Sequence, residues 1–140
     1  MTTAECVFCR IVAGDAPARV IRRDERTVSF MDINPIVPGH CLVIPTTHCR
    51  DWLDAPPEDL AAIAHAAQEV GRAAVDGLGA DGVNFINATG EAAFQTVFHL
   101  HLHVLPRLAE DHLELPVFGR GAPDGEIAAN HDRIIAALAG

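Results

Sequence analysis

The sequence predicts a single α+β domain, residues 1–140, built on a mostly antiparallel sheet. The chain has 140 residues, of which 49% are hydrophobic, and this is enough for one core. Short apolar segments with strand character follow one another at hairpin distances. Only one long segment has the apolar spacing of a helix. Strands that follow one another without intervening helices favour antiparallel pairing over a βαβ arrangement.

The N-terminal part predicts a helical turn and three strands, at residues 10–13, 20–23, 27–31 and 40–45. Gly14 ends the turn. The first two strands flank Asp24-Glu25-Arg26, a polar segment that predicts a hairpin. Pro45 stops the third strand, because proline interrupts regular pairing.

One long helix is predicted between Pro56 and Gly79. Its prolines stand at the start and its glycine at the end, as helix chemistry prefers. One apolar face is predicted from residues at helical spacing, namely Leu60, Ile63, Ala64, Ala67, Gly71, Ala74 and Leu78.

The C-terminal half predicts two more strands, a loop and a short helix, at residues 83–87, 98–105, 113–125 and 126–138. Counting the five strands, we expect a five-stranded antiparallel sheet. The helices at the two ends and in the middle are expected to cover one face of it.

Composition excludes two classes of partner. The net charge is −9, from 10 Lys+Arg against 19 Asp+Glu, and the basic residues form no stripe that would bind a nucleic-acid polymer. No apolar run approaches the roughly 20 residues of a membrane helix. The N-terminus lacks the basic and apolar regions of a secretory signal. A cytoplasmic location without membrane attachment is therefore expected.

The segment His99-Leu100-His101-Leu102-His103 carries the strongest functional signal. Side chains alternate along a strand, so three imidazoles are expected on one face and the leucines in the core. In one interpretation the imidazoles hold a catalytic metal, but the outer two would lie roughly 13 Å apart on a straight strand. In the other, which we favour, His101 attacks phosphorus as a nucleophile while its neighbours position the phosphate and transfer protons.

Cys6-Val7-Phe8-Cys9 is a second candidate site. In a reducing compartment, two cysteines at this spacing predict metal ligation or redox chemistry before a disulfide. Cys41 and Cys49 are predicted to be core or surface thiols.

With these segments together, the chain resembles the histidine triad (HIT) family of nucleotide hydrolases and transferases. The matching motifs span residues 5–107 and include Phe30-Met31-Asp32-Ile33-Asn34-Pro35 and Pro38-Gly39-His40. Residues 108–140 form the segment that varies in this family. The resemblance is strongest to the Hint-like branch, which implies hydrolysis of purine nucleoside phosphoramidates through a nucleotidyl-histidine intermediate.

The resemblance also implies a role for each matching residue. His101 matches the nucleophile, His103 the residue that contacts the phosphate and assists the leaving group, His99 the first triad member, and His40 a histidine that sets triad tautomers. Nucleotide contacts are implied for Phe8, Ile11, Phe30, Asp32, Ile33, Leu42, Asn87, Gln95 and Thr96. A purine nucleotide such as AMP or GMP is the implied ligand.

A structural zinc and a homodimer are implied in the same way. Relatives that keep Cys-x-x-Cys bind zinc through two cysteines and two histidines, and the matching set here is Cys6, Cys9, His48 and His99. The implied HIT-like fold has one long and one short helix on a five-stranded sheet, and two such sheets join into a ten-stranded one.

Two departures from the family pattern concern the phosphate side of the site. Phe94 stands where a glycine is usual, and Ala88 stands where an asparagine is common, with Asn87 one residue away. Two alternatives remain open: hydrolysis or nucleotidyl transfer from dinucleoside polyphosphates, and a nucleotide-binding regulatory protein with little turnover.

Overall fold

The computed structural model describes residues 3–115 and 121–140. The predicted α+β class is confirmed: five antiparallel strands form one sheet in the order β1-β2-β3-β5-β4. A 3-10 turn, Glu91–Ala93, precedes the last strand. The helices are α1 (Val7–Ala13), α2 (Pro57–Leu78) and α3 (Asp124–Ala139), and the strands are β1 (Val20–Arg23), β2 (Thr27–Met31), β3 (Cys41–Pro45), β4 (Gly82–Ile86) and β5 (Leu102–Arg107).

Strand alternation divides the core between the two faces of the sheet. On β3, Cys41 and Val43 pack against residues of α2, whereas Leu42 and Ile44 pack against residues of α1. The prediction that all helices cover one face is therefore wrong, because α1 and α2 lie on opposite faces. Along the described residues of α3 no side chain is buried, so this helix covers neither.

The buried face of α2 differs from the predicted one. Ile63, Ala67, Gly71 and Ala74 are buried as expected. Ala64 and Leu78 are exposed, and the buried face instead includes Ala66 and Val70. The physical reason is that alanine and glycine fit either environment, so their spacing does not define the orientation of the helix.

The triad strand begins later than predicted. The sequence predicts a strand from residue 98, but β5 starts at Leu102, where pairing with β3 begins at Val43. Before that point the backbone bonds elsewhere: the amide of Leu100 donates to Cys49 O at 2.8 Å. Pro45 lacks an N–H and cannot extend the ladder. His99 and His101 consequently lie in the segment that leads into the strand.

The terminal loop is also shorter than predicted. Its last two residues, Asp124 and Gly125, belong to α3, while residues 116–120 of the predicted loop lie outside the described residues. Among the residues described, no helix has the length and apolar character to cross a membrane.

Candidate active site

Strand register places the last triad histidine beside apolar residues. Phe30 on β2 pairs with Leu42 on β3, and Leu42 pairs with His103 on β5. Directly paired residues project from the same face of a sheet. The row Phe30–Leu42–His103 therefore runs across three strands on the face that α1 covers. Leu100, Leu102 and Val104 pack in the α2 core, so the predicted alternation of the triad segment is confirmed.

His101 has one nitrogen fixed by the backbone and the other available. Its Nδ1 lies 2.8 Å from the carbonyl oxygen of His99. A carbonyl oxygen only accepts hydrogen bonds, so Nδ1 carries the proton and donates. Burial lowers the pKa of His101, which favours the neutral ring. In that tautomer Nε2 has a free lone pair, which is the state that a nucleophile requires.

A chain of hydrogen bonds from the amide of Ile36 through His40 determines which nitrogen of His103 carries the proton. The amide of Ile36 donates to His40 Nδ1 at 3.1 Å, so the proton of neutral His40 is on Nε2. That Nε2 lies 2.9 Å from His103 Nδ1 and donates to it. Burial, with smaller effects of His101 and His40, lowers the pKa of His103 to about 4. Neutral His103 therefore carries its proton on Nε2, whereas neutral His101 carries its proton on Nδ1.

Asp32 lies at the end of this chain. Its Oδ2 is 3.4 Å from His40 Nε2, and its Oδ1 accepts from the amide of Asn34 at 2.7 Å. Asp32, His40 and His103 are close enough in space to share a metal ion. His40 does not suit that role, because its Nε2 carries the proton and the amide of Ile36 occupies Nδ1. We assign this group to hydrogen bonding.

A second group of four donors fits one tetrahedral metal ion. The ligand atoms of Cys6, Cys9, His48 and His99 all lie within 4.8 Å of one another. Cys9 Sγ is 3.2 Å from His48 Nδ1 and 3.4 Å from His99 Nδ1, and Cys6 Sγ is 3.4 Å from the same His99 nitrogen. Zinc bonds of about 2.3 Å to sulfur and 2.0 Å to nitrogen would put these atoms about 3.5 Å apart.

The tautomer of His99 suits the same ion. Its Nε2 lies 3.0 Å from the carbonyl oxygen of Pro45 and donates to it, which leaves the Nδ1 lone pair facing the two sulfurs. Such a hydrogen bond from the distal nitrogen is the usual support of a metal-bound histidine. Burial, opposed by the bond to Pro45, lowers the pKa of His99 to about 4, so the ring is neutral.

The predicted apolar slot is assembled only in part. Phe8, Ile11, Phe30 and Leu42 are buried in one cluster. The Phe8 ring meets the rings of Phe30 and His101 edge to face, with centroids 5.6 Å and 5.2 Å away. Ile33 lies outside this cluster and is 88% exposed. The contact of all five residues with a base stays a prediction.

Of the three residues predicted to contact the nucleotide near the phosphate, Gln95 and Asn87 have other hydrogen-bond partners. Gln95 is buried: its Oε1 accepts from the amide of Gly90 at 2.7 Å, and its Nε2 donates to two carbonyl oxygens, of Arg50 and Val97. Asn87 Nδ2 donates to the backbone oxygen of His101 at 3.0 Å. Thr96 is exposed. A phosphate contact would require Gln95 to give up one of the bonds that its Nε2 donates. The nucleotide contacts of all three residues stay predictions.

Three residues that support the site were not predicted from the sequence; one acts through its side chain and two act through the backbone. Thr89 holds Asn87 with a hydroxyl bond of 2.7 Å to Oδ1. The amide of Ile36 and the carbonyl of Pro45 set the tautomers of His40 and His99. The pattern of side chains in a sequence does not indicate which backbone N–H or C=O group will bond to an imidazole. The Thr-Gly turn signal after β4 is the nearest available indication, and it points only to a loop.

Together these groups can carry out nucleophilic substitution with proton transfer. The rings of His101 and His103 have centroids 5.0 Å apart. His101 presents a lone pair on Nε2, and His103 presents a proton on Nε2. A reacting group that reached both would meet a nucleophile and a general acid without prior proton exchange.

Comparisons with known proteins show the family to which the chain belongs. The family described as HIT domain matches residues 13–110. An uncharacterised HIT-like protein of Mycobacterium tuberculosis is 46% identical over 110 residues, which cover 79% of this chain and 76% of that protein. An adenylylsulfatase of Arabidopsis thaliana is 35% identical over 107 residues, covering 76% of this chain and 54% of its own length.

A solved structure is similar over most of the fold. The crystal structure of a zinc-bound histidine triad family protein from Mycobacterium smegmatis has 48% sequence identity and a TM-score of 0.78, and the match covers 92% of this chain and 91% of the other. The matched family region contains His40 and the three triad histidines, whereas Cys6 and Cys9 precede it.

Proposed function

The chain belongs to the HIT domain family, and from this premise we propose that it hydrolyses nucleotides at the α-phosphorus through a nucleotidyl group on His101. The observation that carries the proposal is the hydrogen bond from His101 Nδ1 to the oxygen of His99, which leaves Nε2 unprotonated. The adjacent His103 supports it, because the His40 bond leaves the proton of His103 on Nε2.

The proposed reaction has two steps. In the first, the lone pair of His101 Nε2 forms a bond to the α-phosphorus, the bond from phosphorus to the leaving group breaks, and His103 Nε2 gives its proton to an amine leaving group. His101 then carries a positive charge, because its Nδ1 keeps its proton, and this charge balances the negative charge left on His103. In the second, water attacks the same phosphorus and passes a proton to His103, and the bond from phosphorus to His101 breaks. The products are a nucleoside monophosphate and an amine, phosphate or sulfate, and both histidines return to their starting tautomers.

We propose a purine nucleoside phosphoramidate as the substrate class. The buried cluster of Phe8, Ile11, Phe30 and Leu42 supports this choice, because a flat base gains from apolar and aromatic surface. Asp32, next to His40, is the proposed acceptor for the ribose hydroxyls. The predicted cytoplasmic location fits the proposal, since metal binding by Cys6 and Cys9 needs reduced thiols.

Trapping the intermediate tests the proposal. We expect mass spectrometry of the acid-quenched protein to find one added nucleotidyl group, on the peptide that contains His101, after incubation with adenosine 5′-phosphoramidate. His101→Ala should lose the adduct and at least about 1,000-fold of the turnover, as expected when a nucleophile is removed. His65→Ala, which removes an exposed histidine of α2, is the matched control. An adduct or full turnover in His101→Ala would refute the assignment.

A substrate panel separates this function from its alternatives. The leaving group is compared by measuring kcat/KM for adenosine and guanosine phosphoramidates, adenylyl sulfate and diadenosine polyphosphates. Adenylyl sulfate is included because the relative from Arabidopsis thaliana is an adenylylsulfatase. Added inorganic phosphate distinguishes transfer from hydrolysis, because a transferase would form a nucleoside diphosphate. Nucleotide binding without turnover of any of these compounds would indicate a regulatory protein.

We also propose that Cys6, Cys9, His48 and His99 hold a structural zinc ion. The ion would supply a cross-link between α1, the end of β3 and the start of the triad segment. The distances between sulfur and nitrogen atoms support this, as does the zinc-bound relative from Mycobacterium smegmatis. Metal analysis of the purified protein should find about one zinc per chain, and a value near zero after purification without chelators would contradict the proposal.

Finally, we propose a homodimer formed through β4 and α2. β4 is an edge strand, and an apolar groove of about 1210 Å³ lies beside it, lined by residues that include Trp52, Ala67, Val75 and Phe85. Unpaired edges beside apolar surface are usual sites of chain association. Light scattering should give the mass of two chains. Phe85→Asp should shift the mass toward one chain, and a monomeric wild type would refute this proposal.

A further inference from the structure

The carbonyl group of His101 is held by a side chain. β5 begins one residue later, at Leu102, and β4 ends at Ile86, which pairs with His103. The residue that follows β4 is Asn87, and its Nδ2 donates to the carbonyl oxygen of His101 at 3.0 Å. The backbone of the proposed nucleophile therefore has a support that one side-chain substitution can remove.

The amide group of Asn87 has one favourable orientation. A carbonyl oxygen only accepts hydrogen bonds, so Nδ2 must face His101 O and Oδ1 must face away from it. On that other side the hydroxyl of Thr89 donates to Oδ1 at 2.7 Å. An amide rotated by half a turn would instead place two acceptors, Oδ1 and His101 O, against each other. The Thr89 hydroxyl therefore stabilises the orientation of Asn87 that holds the His101 backbone.

Two hydrogen bonds together set the direction of the attacking nitrogen. The ring of His101 is held by the bond from its Nδ1 to His99 O at 2.8 Å, and its carbonyl group is held by Asn87. Ring and carbonyl are attached to the same Cα, so a shift of the carbonyl group also changes the direction of Nε2. The rate of attack depends steeply on this alignment. A group that touches neither the nucleotide nor the imidazole can therefore change the rate.

We propose that Thr89 is a positioning residue, which acts through Asn87 to hold His101 in place for attack on phosphorus. The inference rests on the proposed function. It gives Asn87 a role in supporting the nucleophile, whereas the sequence predicts a nucleotide contact. The effect of Thr89 should therefore appear in the rate of the first chemical step and not in the affinity for the nucleotide.

A double-mutant cycle with adenosine 5′-phosphoramidate tests this dependence. The measurement is the single-turnover rate of cleavage. Thr89→Val removes the hydroxyl but keeps the shape of the side chain, and it should lower the rate about threefold to fivefold, within the range of one neutral hydrogen bond. Asn87→Ala should lower the rate about tenfold. In the Asn87→Ala background Thr89→Val should have no further effect, because the partner of the hydroxyl is gone.

Three other variants separate positioning from a loss of stability. Thr89→Ser keeps the hydroxyl and should hold the rate within about twofold of wild type. Thr89→Ala removes the hydroxyl from a smaller side chain and should reproduce the loss of Thr89→Val, which keeps the test valid if the valine variant does not fold. Thr27→Val is the matched control: it removes a hydroxyl bond of 3.2 Å to Asp24 on β2, and it should leave the rate unchanged. The affinity for AMP should stay within about twofold of wild type in all of them.

The possible failures can be told apart. An unchanged rate without the Thr89 hydroxyl, multiplied losses in the double variant, or a loss of AMP affinity as large as the loss of rate would overturn this inference alone. A changed mass of Thr89→Val in light scattering would also overturn it, because Asn87 and Thr89 line the groove proposed for dimerisation. Absence of turnover and of a His101 adduct in wild type would instead refute the proposed function, and this inference with it.

Discussion

The hairpin between β1 and β2 offers a stability prediction whose size follows from the structure. Asp24 Oδ1 accepts from the amides of Arg26 and Thr27, both at 2.8 Å, and its Oδ2 accepts from Arg22 Nη1 at 2.6 Å. Burial opposes ionisation, but these donors outweigh it and lower the pKa of Asp24 from 3.8 to about 2. Asp24→Asn keeps an acceptor for both amides and removes the charge that Arg22 binds.

The expected loss is about 1 kcal/mol at pH 7. The difference between a pKa of 3.8 and one of about 2 corresponds to roughly 2.4 kcal/mol if it is fully realised. The carboxylate is 40% exposed, so solvent screening reduces its contribution. Because the folded-state pKa is depressed, the stabilisation is present above pH 3.8 and is lost as the pH falls through 2. About half of it should remain at pH 3.

Urea denaturation of both proteins between pH 7 and pH 3 measures this difference. Metal release at low pH affects wild type and variant alike, so it cancels when their free energies of unfolding are subtracted. Glu110→Gln, at an exposed carboxylate, is the control and should change the free energy little at any pH. A difference that stays constant from pH 7 to pH 3, or grows toward low pH, would refute the linkage argument.

Three other substitutions test the site and its supports. Cys9→Ser should reduce bound zinc from about one per chain to less than about 0.2 by metal analysis and lower the thermal midpoint, while a zinc content equal to wild type would exclude Cys9 as a ligand. Asn87→Ala removes the donor to the His101 carbonyl, so kcat should fall about tenfold with AMP affinity within about threefold; the reverse pattern would identify Asn87 as a nucleotide ligand. Gly39→Ala should destabilise the fold by about 2 kcal/mol in urea, because φ is 85° and the new Cβ would lie 2.5 Å from Leu78 Cδ1; an unchanged midpoint would contradict this.

Alternation and motif spacing predicted the part of the site that depends on side-chain identity. The three triad histidines, His40 and the Cys-x-x-Cys pair could be recognised because imidazole and thiol groups at these spacings are rare unless they have a chemical role. The strands β1 to β4 were predicted to within one residue at each end. These elements follow from local periodicity, which a sequence displays directly.

Features that depend on tertiary hydrogen bonds could not be predicted in the same way. The start of β5 at Leu102 depends on where β3 ends, which involves residues more than 50 positions away. The tautomers of His99, His101 and His40 depend on the backbone of Pro45, His99 and Ile36. Backbone groups are identical at every position, so the sequence has no signal for which of them will meet an imidazole.

Helix α1 connects the proposed metal site with the proposed nucleophile, because its residues contact both. This helix has 7 residues, too few to be stable alone, so contacts must hold it in place. Its N-cap residue Cys6 and its own Cys9 lie close to His48 and His99. Phe8, between the two cysteines, lies against the rings of His99 and His101, with centroids 5.8 Å and 5.2 Å away. A cross-link at the cysteines would therefore also fix the ring that borders the nucleophile. If zinc binds as proposed, it would act by holding a wall of the site and not by taking part in the attack, because His101, the proposed nucleophile, is not among its proposed ligands.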